Sequence, residues 1–304
     1  FIAILMLISL MLPAMAGQAG TDLAVLKAGV GARALGMGSA FTAIANNADA
    51  PYWNPAGLGE VHKNEITTMQ TKLSTDTDHY YLSYVVPWGK GSVGISWIQM
   101  GLGSISETSD TLDGFNEVQT ISIFNYYSNA FLFSYGLPVS DKISLGLTAK
   151  YLISDMTNIA GGQATGYSFT PGILLKPSDK FTIGFKVDEL LNESSWGTGN
   201  IEKAIPKARL GFALTGIANS TLAIDISQQI SARYTPELCA GYEWSQEGLA
   251  FRLGFADSAL TAGAGFTALL PQTKGGTASV DYAYVQQSSL SRENVHRVSL
   301  SGKW

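Results

Sequence analysis

The chain has 304 residues and a formal net charge of −5, and only 14% of its residues are charged, against roughly 25% in an ordinary soluble domain. With 33 glycines, 13 tyrosines and 6 tryptophans, it is short of the charge that keeps a surface in water. It also lacks the basic stripe with which a nucleic-acid partner would be held. A run of roughly 18 apolar residues, the minimum for a spanning helix, occurs nowhere in the interior. One cysteine, Cys239, allows no internal disulfide and no zinc cluster; it reads as a small buried or lipid-facing residue. His62, His79 and His296 stand apart, without ligand spacing, and read as polar surface or interfacial residues.

The chain opens on an apolar stretch, Phe1 to Leu12, followed by Pro13 and Ala14-Met15-Ala16. This is the pattern of a secretory signal cut before Gly17, and it is too short for a membrane span. It starts without an initiator Met or a basic segment, so residues 1–16 are expected to be a signal peptide truncated at its start.

Residues 17–62 form the next unit, and they show no period-two pattern. Gly29-Val30-Gly31-Ala32-Arg33-Ala34 has the spacing of a dinucleotide-binding fingerprint. That fingerprint requires a strand–helix–strand unit with an acidic residue ending the second strand. The next acid, Asp49, instead lies in a polar stretch. Packing explains the glycines better: Gly31, Gly36 and Gly38 with Ala32, Ala34 and Ala40 make a thin segment able to lie along a barrel wall. Asn54-Pro55-Ala56-Gly57-Leu58 then makes a turn, Pro fixing φ and Gly allowing it to be positive, and Tyr52 and Trp53 are placed to wedge that turn in a lumen.

From residue 64 onward, period-two alternation recurs in stretches of about ten residues, the length of a tilted membrane-crossing strand. In 142–151, Ile143, Leu145, Leu147, Ala149 and Tyr151 share one face, and Lys142, Ser144, Gly146, Thr148 and Lys150 the other. The same holds for Phe181, Ile183, Phe185 and Val187, for Leu210 and Phe212, for Ile224, and for Phe251 and Leu253. Fourteen strands are expected, near 64–73, 79–87, 91–100, 127–138, 141–154, 165–176, 179–190, 205–216, 220–230, 235–244, 248–256, 259–269, 277–286 and 294–304. Tight turns such as Pro138-Val139-Ser140-Asp141 fall on one side and the longest connections, 101–126 and 191–204, on the other, as an outer-membrane barrel requires. The short connection near 257–258 departs from that rule.

The polar face carries scattered charges, Lys150, Lys186, Asp188, Arg209, Asp225 and Arg252, expected to face a lumen and pair with a plug. A secreted β-sandwich would show the same alternation. Strand length, aromatics near strand ends (Tyr80, Tyr84, Trp88 and Trp97) and the ending Val298-x-Leu300-x-Gly302-x-Trp304 favour the barrel. Val298, Leu300 and Trp304 are expected to form an assembly signal. The fold expected is thus all-β: a 14-stranded antiparallel transmembrane barrel over 63–304 with an N-terminal hatch over 17–62, in the outer membrane of a Gram-negative-type bacterium.

Gly31-Ala32-Arg33-Ala34-Leu35-Gly36-Met37-Gly38-Ser39-Ala40-Phe41 and Tyr52-Trp53-Asn54-Pro55-Ala56-Gly57-Leu58 together resemble the N-terminal signature of the PorV/PorQ family, within the FadL-like superfamily. Where relatives often carry paired aspartates, this chain has Asn46-Asn47. The resemblance implies a hatch motif built on Gly31, Arg33, Gly36, Gly38, Trp53, Asn54, Pro55, Ala56 and Gly57. It also implies a component of the type IX secretion system that binds a translocon and secreted cargo proteins; the alternative is a FadL-like channel for long-chain fatty acids or other hydrophobic small molecules. Neither reading needs a catalytic residue, metal or cofactor, and no nucleophile and base stand at readable spacing. The partners expected are outer-membrane lipids with either cargo and translocon or hydrophobic small molecules, and no nucleic acid.

Overall fold

The computed structural model describes residues 23–74, 76–112, 115, 117–230, 235–256, 259–271, 275–286 and 294–304. The expected signal segment 1–16, the start of the hatch at 17–22 and the connection at 257–258 lie outside the described residues. Among the described residues four short helical pieces come first: α1 (Ala24–Lys27), α2 (Ala32–Gly36), α3 (Ala50–Trp53) and a 3-10 turn at Pro55–Glu60. Seven strands follow: β1 (Glu65–Ser74), β2 (Thr77–Trp88), β3 (Gly91–Leu112), β4 (Val118–Ser140), β5 (Ile143–Met156), β6 (Gln163–Ser178) and β7 (Phe181–Asp188). After β8 (Leu190–Trp196) and β9 (Ile201–Glu202) come β10 (Lys207–Ile217), β11 (Ser220–Gln229), β12 (Glu237–Gln246), β13 (Leu249–Ala256), β14 (Ala259–Leu270), β15 (Gly276–Val285) and β16 (Val295–Lys303).

Each strand pairs antiparallel with its neighbour, and two pairings close the ring: β1 with β16, and β5 with β6. A closed barrel leaves no sheet edge, the condition for a sheet in hydrocarbon. Its fourteen staves are β1–β7 and β10–β16. β8 continues the line of β7 beyond a kink at Glu189 and Leu191, both with positive φ (57° and 51°). Above the kink it pairs with the upper part of β6, then turns back through β9.

The alternation reads out directly as in and out. On β1, Glu65, Thr67, Met69 and Thr71 point inward and are buried, while Ile66, Thr68, Gln70 and Lys72 point outward. Leu147, Ile224, Leu253 and Leu300 are each 49–64% exposed on the outer surface. In a sandwich these faces would cover one another. Here they form an apolar belt around the barrel, which only lipid can cover. Tyr84 stacks on Trp304 (centroids 6.1 Å apart) and Trp88 meets Tyr135 edge-on, also at 6.1 Å, so aromatics ring the end of the barrel that carries the C-terminus. That end is called lower below. Trp97 stands further up β3, its indole N–H donating to Asn129 at 3.1 Å, so it is not part of this ring.

Two segments read as connections are ordered strand instead. β3 and β4 continue as a hairpin through most of 101–126, pairing up to Leu112 and Val118. The alternation persists there, with Ile105 opposite Phe124, but Ser, Thr and Gly thin its apolar side. Likewise 191–204 contains most of β8 and all of β9, short pieces interrupted by the kink.

Candidate functional site

Residues 24–60 occupy the lumen, and their small side chains let backbone touch backbone. Val30, Ala32, Ala34, Met37, Ala40, Phe41 and Leu58 are all essentially inaccessible to solvent. At the centre is the Asn54–Gly57 turn. Asn54 accepts a hydrogen bond from the Ala56 N–H through Oδ1 (3.1 Å) and donates through Nδ2 to the Thr42 carbonyl (2.9 Å). Pro55 opens the 3-10 turn, where its missing N–H leaves nothing unsatisfied. Gly57 is obligatory, since a Cβ there would come within 1.6 Å of the Ala45 carbonyl oxygen.

The wall is cut to receive this turn. Gly136, Gly146 and Gly172 sit side by side on β4, β5 and β6. A Cβ on any of them would lie 2.2–2.3 Å from Asn54 or Pro55 atoms. Glycine inside a strand weakens the strand, and it marks close approach of another backbone; here the three form a seat.

The stretch from α2 to Thr42 is held differently, by charge. Arg33 makes a bidentate contact with Glu243 of β12 (Nε to Oε2 2.9 Å, Nη2 to Oε1 2.7 Å). Glu243 also receives Arg252 of β13 at 2.6 Å, and Arg252 reaches Asp281 of β15 at 2.8 Å. Asp225 of β11 accepts from the backbone N–H of Phe41 (3.1 Å) and Thr42 (3.0 Å) and from the Thr42 hydroxyl (2.7 Å). Arg209 donates to the Ser39 carbonyl at 3.1 Å. On the other flank, Lys186 donates to the Tyr52 carbonyl (3.0 Å) and pairs with Asp188 (2.9 Å), while Lys150 pairs with Glu189 at 2.5 Å. The six lumen charges read from the sequence thus all face inward. Lys186, Arg209 and Asp225 contact the hatch directly, Arg252 and Asp188 act through partners that touch it, and Lys150 pairs with the kink.

The remaining motif residues fall into place around these contacts. Gly31 caps α2 at φ 76°, and its Cα side is filled by the Asp49 carboxylate, 2.4 Å from where a Cβ would stand. That crowding occupies the place a phosphate would need, which disposes of the dinucleotide fingerprint. Gly36 and Gly38 lie against the backbones of Gly263 and Phe255. The Trp53 indole donates to the Val30 carbonyl at 2.9 Å and packs edge-on against Phe41. Asp49 is buried, and the burial pushes its carboxyl up to about 6, against the opposing effect of its Asn47 hydrogen bond. Val298 and Leu300 point outward on β16, and Trp304 exchanges two 3.0 Å backbone hydrogen bonds with Asn64 at the seam.

Sequence reasoning missed several groups. His79, read as a surface or interfacial residue, is fully buried with both ring nitrogens unpartnered; it shares the inward parity of Tyr81 and Ser83, which spacing between histidines does not reveal. Glu243 anchors the hatch through Arg33, and Asp281 supports it through Arg252; the inward parity of both was equally available. Arg297, which donates to the Ala28 carbonyl at 2.6 Å, is a third.

The hatch divides the lumen into two unlike cavities. Below it, about 480 Å³ is lined by polar groups, among them Arg33, Glu65, Glu243, Arg252 and Lys303. Above it, about 350 Å³ is lined by apolar residues such as Leu23, Ile105, Phe124, Leu152, Met156 and Trp196, interspersed with Ser128, Ser154, Thr165, Ser194 and Glu202. Both volumes are in the range of small-molecule sites, and the upper one has the more apolar wall. Its residues come from the hatch, from the β3–β4 hairpin and from the β6–β8–β9 wall, the regions where the sequence reading expected loops.

No protein-family model and no curated protein matches the sequence. Solved structures do match in fold. The Pseudomonas putida toluene transporter TodX superposes with a TM-score of 0.62 at 14% identity, over 90% of this chain and 97% of its own. The Ralstonia pickettii toluene transporter TbuX gives 0.59 at 14% identity, with the same coverage. A Pseudomonas aeruginosa FadL homologue gives 0.54 at 12%, over 88% of this chain and 96% of that one. At these identities the likeness establishes a shared barrel fold.

Proposed function

We propose that the protein is a passive outer-membrane channel for small hydrophobic compounds, with its lower end in the periplasm and the upper cavity as the site where solute is first held. The observation that carries this is the apolar cavity of about 350 Å³ standing directly above a hatch whose far side is polar. An apolar solute gains about 25 cal/mol for each Å² it removes from water, so it partitions into the upper cavity and finds no such gain below. Structural neighbours that carry toluene support the reading. The PorV/PorQ-like signature supports the alternative of a secretion component less well. Its residues are spent on packing the hatch inside the barrel, and such packing serves a barrel of either function.

The test is direct binding. Toluene added to the purified protein in detergent is expected to bind saturably by calorimetry, and Leu152→Trp, which fills the cavity, is expected to abolish binding while leaving the barrel folded. Equal binding by the filled variant would move the site elsewhere.

A further inference from the structure

The upper cavity holds one feature that a site for pure hydrocarbon does not need, a carboxylate. Residues directly opposite one another on paired strands share a face of the sheet. Ala164 and Gly166 are buried, inward positions of β6. Trp196 and Ser194 of β8 stand opposite them, and Glu202 of β9 stands opposite Ser194. The register therefore puts Glu202 on the lumen face, and it lines the cavity. Its neighbours Glu193 and Lys203 have the other parity and pair with each other at 3.3 Å on the outer face. Among the described residues the Glu202 carboxylate has no ion pair and no hydrogen bond of its own, and it is partly open to solvent rather than sealed in the wall. No lysine, arginine or histidine among the described residues lines the cavity.

A single uncompensated charge in a confined space with apolar walls attracts ions of opposite sign and repels those of its own, because the walls focus its field. Leu23, Phe124, Leu152 and Met156 offer contact to an apolar body. An ammonium carried on that body can donate charge-assisted hydrogen bonds to the carboxylate. We infer that Glu202 is a specificity-determining residue, and that the cavity is a site for compact hydrophobic amines in their protonated form, such as arylalkylamines, and rejects carboxylates of the same size. Hydrocarbons enter by apolar contact alone. This rests on the cavity being the ligand site of the channel.

Three probes with one ring and chains of similar length separate the possibilities at pH 7: 2-phenylethylamine as the cation, propylbenzene as its hydrocarbon counterpart, and 3-phenylpropanoate as the anion. Binding is measured to the intact protein in a non-ionic detergent. The amine is expected to bind at least about 10-fold more tightly than the carboxylate. Because an ammonium gives up hydration on entry, the amine is compared with the hydrocarbon through a variant. Glu202→Gln keeps the shape and removes the charge. It is expected to weaken the amine by about 5- to 15-fold, between the factor of an exposed ion pair and that of a charged hydrogen bond, and to change propylbenzene by no more than about 2-fold. Amine binding unaltered in the variant would overturn the inference and leave the channel reading standing. Carboxylate binding as tight as the amine would overturn it too. Failure of all three probes to bind the natural protein would overturn both readings. Should Glu202→Gln fail to fold, Ser194→Lys sets an internal ammonium opposite Glu202. It is expected to weaken the amine by a similar factor, and amine binding as tight as in the natural protein would refute the contact.

Discussion

The two halves of the hatch are held to the same barrel by different physics. The Asn54–Gly57 turn sits on Gly136, Gly146 and Gly172 with backbone against backbone, leaving no room for one methyl group. The stretch from Arg33 to Thr42 is tied through Glu243, which lines the polar cavity alongside, and through Arg209 and the fully buried Asp225. Shape fixes the first half, and it cannot be loosened by degrees. Charge fixes the second, so lesions there are graded by how deeply the lost group is buried.

Gly146→Leu is the largest break. Its Cβ would fall 2.2 Å from the Pro55 carbonyl carbon, beyond what side-chain repacking absorbs, so the loss should exceed about 3 kcal/mol. The expected result is a barrel whose hatch is protease-sensitive or which fails to become heat-modifiable. A folded, protected hatch in this variant would remove the seat from the account.

Asp225→Ala comes next. It strands the Phe41 and Thr42 N–H groups and the Arg209 guanidinium, all in a buried site, and should cost about 3–5 kcal/mol in reversible unfolding from lipid or detergent. A loss under about 1 kcal/mol would show that water replaces the carboxylate freely.

A smaller effect comes from Asp49. Its folded carboxyl titrates near 6 because it is buried, whereas an unfolded Asp titrates near 3.9. The folded state therefore holds the proton more tightly, and the stability this confers is present below about pH 4 and lost as pH rises through about 6. Hydrogen exchange in residues 31–53, corrected for intrinsic rates, should show the hatch loosening across that window. Asp49→Asn should flatten the dependence; a natural protein already flat would contradict the burial argument.

Arg33→Ala should do least. The arginine side chain is 26% exposed, and Glu243 keeps Arg252 at 2.6 Å when it goes. The loss should be about 1 kcal/mol or less, read most sensitively as faster exchange in α2 with the seat unaffected.

The sequence speaks plainly about the wall and less so about the hatch, for a physical reason. Side chains alternate strictly in a strand, so Leu145, Leu147, Ile224 and Phe251 announce their side of the wall without knowledge of any neighbour. The inward charges were legible by the same parity, and Lys186 and Asp225 meet the hatch as expected. Their partners were not, because Arg33 and Glu243 lie 210 residues apart and only the closed ring brings them together. The glycine seat was half legible: a mid-strand glycine signals a close approach, but the matched heights of Gly136, Gly146 and Gly172 require the register. The upper cavity was hidden most completely, since Ile105, Phe124 and Trp196 sit in segments whose polar composition reads as connection.

The central claim is that apolar solutes enter through this barrel, and one measurement bears on it most directly. Cells whose outer leaflet of lipopolysaccharide retards hydrophobic solutes can be compared with and without the protein for initial uptake of radiolabelled toluene. The account predicts faster uptake with the natural protein, saturable at low concentration, and uptake returned to background by Leu152→Trp at equal barrel abundance. Uptake unchanged by the natural protein would contradict it and give the secretion reading the stronger position.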